Sequence, residues 1–545
     1  MRFPAVLSGV LLTLTASLNA WAQSPPPSDP QNPPNGAAPA TTGTSNDASA
    51  PAPSTGQTPN DKPPAGGSNT AVDNGGAPAT PTGAPAQTAP PKPPEPNTFQ
   101  KLMSGFSYGS YGRVVAAGDF RGRPGRDTDF VARGSRLDES NYVELELRRE
   151  DYWEKTQSRT RIVTTLAMAN PIFHYSGDFD AVISIRNMFI ESRDLGLKRL
   201  SVWAGSRMYR GDDVYLLDFW PMDSLNTLGG GARYDLNDNG WTNVAVHAGV
   251  NRPNGLFYYQ TSQRTAPNNA FGATTVEILN RQRTIGSVRL QHIFPVGERG
   301  GIKGVLYGEF HGLSAGQREI DPEVFEDVPA ENGFVVGAQV GGFTGVRDTH
   351  LNLFFRYARG LAAYGEFASP TRLSLARTTE GASELRVAVG GNYETGPFGL
   401  MLGGYMRSFR NASAALDNDD IDEGAIILRP HIFVGESGGI AVEGSFQAQQ
   451  RGVLFTEQTA EGETPAAPKG PLMGSMFRFG IIPFLSPGGR GDFSRPHFRI
   501  IYLISVRDKG AQALYPKDDV FGIRDVEHFL GFGAEWWFNS SSYGW

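Results

Sequence analysis

From Phe99 onward, apolar and polar residues alternate one for one over short stretches. In Tyr142-Val-Glu-Leu-Glu-Leu-Arg148, Val143, Leu145 and Leu147 fall on one side, and Tyr142, Glu144, Glu146 and Arg148 on the other. In 440–449, Ile440, Val442, Phe446 and Ala448 oppose Glu443, Ser445, Gln447 and Gln449. In 497–507, Phe498, Ile500, Tyr502, Ile504 and Val506 oppose His497, Arg499, Ser505 and Arg507. Successive side chains of an extended chain point to opposite faces, so this pattern predicts strands with one apolar and one polar face. Such strands are expected near 103–118, 141–150, 158–168, 181–191, 199–206, 228–234, 242–251, 283–292, 301–311, 334–343, 349–358, 385–393, 398–407, 424–434, 439–449, 473–482, 495–506 and 527–538. That is about eighteen, an even number that an antiparallel sheet can close on itself.

A soluble sandwich or propeller would turn the apolar faces inward, whereas a membrane barrel turns them to lipid and the polar faces to a lumen. The predicted strands run about ten residues, enough to cross a bilayer at a tilt. Aromatic residues gather near strand ends, as at membrane interfaces. In the last strand Leu530, Phe532, Ala534, Trp536 and Phe538 share one face, and Gly531, Gly533, Glu535 and Trp537 the other. The fold class expected is therefore all-β, a transmembrane antiparallel β-barrel over 98–545. Stretches 297–301, 394–397 and 436–439 are expected as short periplasmic turns, and 119–140, 253–281, 359–384 and 452–471 as long outer loops.

The start of the chain reads differently. Arg2, a mostly apolar run over 6–18 and Ala20-Trp21-Ala22 have the layout of a secretory signal over 1–22, with Gln23 as the first mature residue. Residues 23–97 are Pro, Ala, Gly, Thr, Ser and Asn with almost no bulky apolar side chain, a composition that cannot offset the entropy of folding. A disordered tether is expected there, in contact with the periplasm or cell wall. The 545 residues hold no Cys, which excludes disulfides and thiolate chemistry. The formal net charge of -7 and the absence of a basic run argue against nucleic acid. The eight His form no H-E-x-x-H or similar cluster, and no G-x-S-x-G occurs, so no cofactor, metal or catalytic residue is assigned.

One stretch breaks the alternation. After Ser206, Arg207, Arg210, Asp212, Asp213, Asp218 and Asp223 are mixed with Met208, Tyr209, Tyr215, Phe219 and Trp220, with no period. Rings beside hydrogen-bonding charges suit a sugar, whose C–H faces stack while its hydroxyls exchange bonds. The bland reading is a surface loop with a few aromatics.

Trp203-Ala-Gly-x-Arg followed by Asp213-Val214 and Asp218-Phe219 resembles the constriction loop of the maltoporins, sugar-specific trimeric porins of the Gram-negative outer membrane. Tyr111-Gly-Arg113, Tyr142-x-Glu144, Arg186 and Arg495-Pro-x-x-Arg499 resemble other stretches of that family in the same order. The resemblance implies an inward-folded loop over 207–227 and a homotrimer in outer-membrane lipid. It also implies a track of rings, Tyr111, Tyr142, Trp220 and Trp537, flanked by Arg113, Glu144, Arg186, Arg207, Arg210, Asp213 and Asp218, along which oligosaccharides diffuse. The sequence departs from the family pattern at Gly211, where an arginine is common, and at Trp220, which matches the narrowing tyrosine and is followed by Pro221. The family's first-loop disulfide is impossible without Cys. A less selective or anion-preferring porin, an outer-membrane enzyme and a wall-anchored structural protein stand as alternatives.

Overall fold

The computed structural model describes residues 105–169, 182–265, 272–346, 348–366, 378–410, 420–453, 469–516 and 518–540. The expected signal and tether lie outside them. The strands are β1 Phe106–Gly118, β2 Tyr142–Trp153, β3 Ser158–Ala169, β4 Val182–Arg193, β5 Leu200–Arg210, β6 Ser224–Asp235, β7 Asn243–Asn251, β8 Tyr259–Thr265, β9 Ala273–Asn280, β10 Arg283–Val296 and β11 Gly300–Leu313. They continue with β12 Gly316–Asp321, β13 Val324–Val328, β14 Glu331–Phe343, β15 His350–Gly360, β16 Ser383–Thr395, β17 Phe398–Arg410, β18 Ile421–Val434, β19 Gly438–Val453, β20 Lys469–Leu485, β21 His497–Arg507 and β22 Val526–Phe538.

Eighteen of them form one antiparallel sheet. Each pairs with its chain neighbours, β7 passes to β10 and β11 to β14, and β1 pairs with both β2 and β22, so the sheet closes into a barrel. All eighteen expected strands are present. β8–β9 and β12–β13 are separate hairpins within two long loops, which the barrel pattern did not reveal.

Burial settles which face points where. Glu144 and Glu146 are each 1% exposed while Leu147 beside them is 53% exposed. On β15, Leu353 and Phe355 are exposed and Arg356 is buried. A soluble sandwich would show the reverse. Apolar side chains outside and carboxylates inside are what a wall between hydrocarbon and an aqueous lumen requires.

Short turns at one end alternate with long loops at the other. The loop 119–141 differs from the expected outer loop, because it folds into the barrel. The Ala132 N–H donates to Glu423 Oε2 at 3.0 Å and that of Arg133 to the Tyr405 hydroxyl at 3.0 Å. Arg478 donates to Asp138 at 2.9 Å, and Leu137 packs with Ile482, Ile501 and Phe529. The loop's acids find an arginine on β20, and its leucine finds an apolar patch of wall. A turn after β20 enters from the other end, carrying Phe493 to 5.4 Å from the Tyr215 ring.

Candidate functional site

The loop between β5 and β6 crosses the lumen. It is pinched shut by Val214 N–H donating to Phe219 O at 2.7 Å, around a 3-10 turn at Tyr215–Leu217. Asp218 closes that turn in the left-handed region at φ 44, which aspartate tolerates better than most residues. Val214, Leu216, Leu217 and Phe219 are buried against the far wall, with Phe219 5.7 Å from the Tyr405 ring. The wall is smooth there for a reason. A Cβ on Gly403 would lie 2.9 Å from the Leu216 Cβ, and one on Gly390 3.2 Å from Val214 Cγ2. Those glycines let the loop lie flat against β16 and β17.

Tyr215 latches the loop tip. Its hydroxyl donates to Glu535 Oε2 at 2.7 Å and accepts from Arg495 and Arg499. Arg136 of the first loop lies 4.6 Å over the same ring, reaches Glu535 Oε1 at 3.2 Å and donates from its backbone to Leu216 O. The two inward loops thus brace each other.

The charged half of the crossing loop faces the open lumen. Asp218 meets Arg113 at 3.3 Å. Burial opposes its ionisation, but Arg136, Arg113 and Arg210 outweigh burial and hold it well below the usual carboxylate range. Asp212 meets Lys303 at 2.6 Å, which likewise holds it low against burial. Among the described residues no cation pairs with Asp213, and burial, helped by the Asp218 charge, pushes it up to about 7. Glu139 contacts Arg113 at 2.7 Å, yet burial and Asp218 push it up to about 7.

The expected site residues fall into two groups. Tyr111, Arg113, Tyr142, Glu144, Arg186 and Asp218 form one joined cluster. The Tyr142 hydroxyl donates to Glu144 at 2.6 Å, Arg186 pairs with Glu144 and Tyr142, and Tyr111 lies 5.9 Å from Tyr142. Arg207, Arg210, Asp213, Trp220 and Trp537 line an open cavity of about 1850 Å³ that runs beside β2–β7. Arg207 is 3.5 Å from Glu191 and 5.3 Å over Trp203.

The ring track differs from a row of open faces. Tyr111 is 1% exposed, covered by Tyr142 and by Trp537 at 6.5 Å, so it supports its neighbours and offers no face of its own. Each of the other three rings carries a guanidinium. Arg210 sits 3.9 Å over Trp220, Arg495 3.9 Å over Trp537, and Arg113 and Arg186 lie 5.6 and 5.5 Å over Tyr142.

Sequence reasoning missed Arg136, Glu139 and Glu191, and named Tyr215 only as one ring of the stretch that breaks the alternation. Glu535, Arg495 and Arg499 carried a signal, since Glu535 and Arg499 fall on polar strand faces, but their convergence on Tyr215 did not. Asp127, Asp129 and Asp138 also come together, but Arg478 pairs with Asp129 and Asp138 at 2.6 and 2.9 Å, which makes the group an ion-paired anchor for the first loop.

Residues 106–538, the whole barrel, match the LamB porin family. The chain belongs to the LamB porin family. It is therefore a porin, a channel-forming β-barrel of the outer membrane. Among solved structures, this LamB porin is similar to the trimer form of OmpT from Vibrio cholerae at 10% identity and a TM-score of 0.35, covering 80% of this chain and 100% of that one. It is similar to OccK1 of Pseudomonas aeruginosa at 10% identity and 0.35, covering 79% and 98%. With OprB of Pseudomonas putida the figures are 10%, 0.33, 81% and 96%. The family match alone carries the identity. No curated protein sequence matches the chain.

Proposed function

We propose that this porin is a passive, sugar-selective channel, trimeric, set in outer-membrane lipid, with oligosaccharides as solutes. The observation that carries the reading is the two-sided loop. Its apolar half is sealed on the β16–β17 wall, and its charged half, with Trp220 and Arg210, lines the remaining passage. A channel needs weak successive binding so that entry and exit are both fast. Trp220 and the exposed parts of Tyr142 and Trp537 supply apolar contact. Arg113, Arg186, Arg207, Arg210, Asp213 and Asp218 donate to and accept from passing hydroxyls, while the buried Glu144 holds Tyr142 and Arg186 in place. Residues 23–97 act as a periplasmic tether. No catalytic role is assigned to any residue.

The second reading, a less selective anion-preferring porin, draws support from the arginines on the rings. Liposome swelling separates the two. A sugar channel admits di- and trisaccharides faster than amino acids or polyols of equal size. Equal rates for all size-matched neutral solutes would overturn the sugar reading.

A further inference from the structure

Just beyond β1 the chain makes a closed turn at the long-loop end of the barrel. Gly118 bridges to Pro124, the Asp119 N–H donates to Arg123 O at 3.1 Å, and the Gly125 N–H donates to Ala117 O at 2.9 Å. Asp119 stiffens the turn from within. One of its oxygens accepts the Arg121 and Arg123 N–H groups at 2.8 and 3.0 Å, and the other meets Arg524 at 3.3 Å. With the backbone so fixed, the side chains of Arg121 and Arg123 stand exposed, and among the described residues no hydrogen bond or ion pair engages their guanidiniums.

Phe120 shows which way the turn faces. It is 62% exposed, and its ring lies 5.9 Å from Tyr502 and 6.0 Å from His528. Tyr502 shares a strand face with the exposed Phe498, Ile500 and Val506, and His528 shares one with the exposed Leu530 and Phe532. That is the face turned to hydrocarbon. The three rings therefore form a piece of interfacial belt, where the polar tips of Tyr and His meet headgroups. Phe120 holds φ 60, a costly region for an aromatic residue, with its ring laid on the outer wall. Arg121 and Arg123 follow directly, which sets them at headgroup level beside the lipid. The acids in contact with the turn leave their charge in place. Asp119 and Glu527 are held by Arg524 at 3.3 and 3.0 Å, and Asp519 by Arg126 at 3.2 Å. Two guanidiniums on a fixed backbone, each a planar fork of donors, suit a phosphate monoester, which offers several acceptor oxygens and more than one negative charge.

We propose that Arg121 and Arg123, with Phe120, form a binding site for the phosphate headgroup of a lipid in the surrounding leaflet. The guanidiniums take the phosphate, and the Phe120 ring takes the first carbons of the chains. The test counts bound lipid by native mass spectrometry of the purified full-length protein in detergent. The probes are dioleoyl phosphatidate, dioleoyl phosphatidylcholine, whose phosphate is capped by a cation, and inorganic phosphate as competitor. Phosphatidate is expected to half-saturate at a concentration about tenfold below phosphatidylcholine. Replacing both arginines, Arg121→Gln with Arg123→Gln, should bring the two lipids within about twofold and leave single-channel current unchanged. Arg121→Lys with Arg123→Lys, which keeps the charge without the fork, should retain part of the preference. Each single Gln variant should lose about threefold, and these carry the test if the double variant yields no folded barrel. Arg299→Gln, at an exposed arginine in the turn between β10 and β11, should keep the full preference. Equal binding of the two lipids by the unaltered protein overturns the inference, as does a preference that survives in every Gln variant of the turn. An equal loss in Arg299→Gln also overturns it, since net charge alone would then be read. Inorganic phosphate that displaces phosphatidate at equal concentration overturns the lipid as the occupant.

Discussion

Tyr215→Phe tests whether the crossing loop is held by its latch. The substitution removes one hydroxyl, which donates to Glu535 at 2.7 Å and accepts from Arg495 and Arg499. A hydrogen bond to an ionised group contributes about 1.5–3 kcal/mol. Glu535 keeps its three guanidiniums, and the ring keeps its edge contacts with Phe493 at 5.4 Å and Trp537 at 6.0 Å, so the lower figure applies. A loss of about 1.5 kcal/mol shifts the ratio of latched to unlatched loop about tenfold. The four buried side chains Val214, Leu216, Leu217 and Phe219 still favour the folded position, at about 1.5–3 kcal/mol each. The mean single-channel current should therefore stay near wild type, while excursions to a wider state become about tenfold more frequent. Gly403→Ala attacks the same loop from the wall, since its Cβ would sit 2.9 Å from the Leu216 Cβ, and should give the same noise. Two variants as quiet as wild type would refute the latch.

Other expectations concern charge and the tether. Asp218→Asn leaves Arg113 and Arg136 short of an anion, so the reversal potential in a KCl gradient should move toward anions, while neutral-sugar block changes by less than about twofold because the amide still bonds. Asp213 and Glu139 each titrate near about 7, above the ordinary carboxylate range, so they are neutral below that pH and charged above it. Reversal potentials from pH 5 to 9 should therefore shift toward cations as pH rises, centred near 7, and Asp213→Asn should shrink the shift; a flat profile contradicts this. Deleting residues 23–94 should leave conductance intact, and a Cys placed at Thr58 should resist surface labelling in whole cells.

All eighteen barrel strands were legible because period two is a local signal, and the reversal of inside and outside left it intact. The hairpins β8–β9 and β12–β13 left no such signal, since strands such as Tyr259–Thr265 and Gly316–Asp321 carry polar residues on both faces. The crossing loop was visible as a break in the period. Its division into a sealed apolar half and a wet charged half was not, since a 3-10 turn closed by the Val214–Phe219 pairing has no repeating face. The inward path of 119–141 was invisible for a different reason. Its partners, Glu423, Gln447 and Arg478, lie about three hundred residues away in sequence. The arginines on the rings likewise depend on three-dimensional closure, as with Arg495 on Trp537. The resemblance named the rings but could not tell which faces were already occupied.

The most direct measurement is the single-channel current of Trp220→Ala, with and without sugar. If the crossing loop is the constriction and Trp220 its stacking face, removing the indole widens the passage and raises the open current. Loss of the stack, worth roughly 0.5–1.5 kcal/mol beyond burial, should raise the half-blocking sugar concentration by a few-fold to about tenfold. Current and block by every sugar both unchanged from wild type would contradict the account.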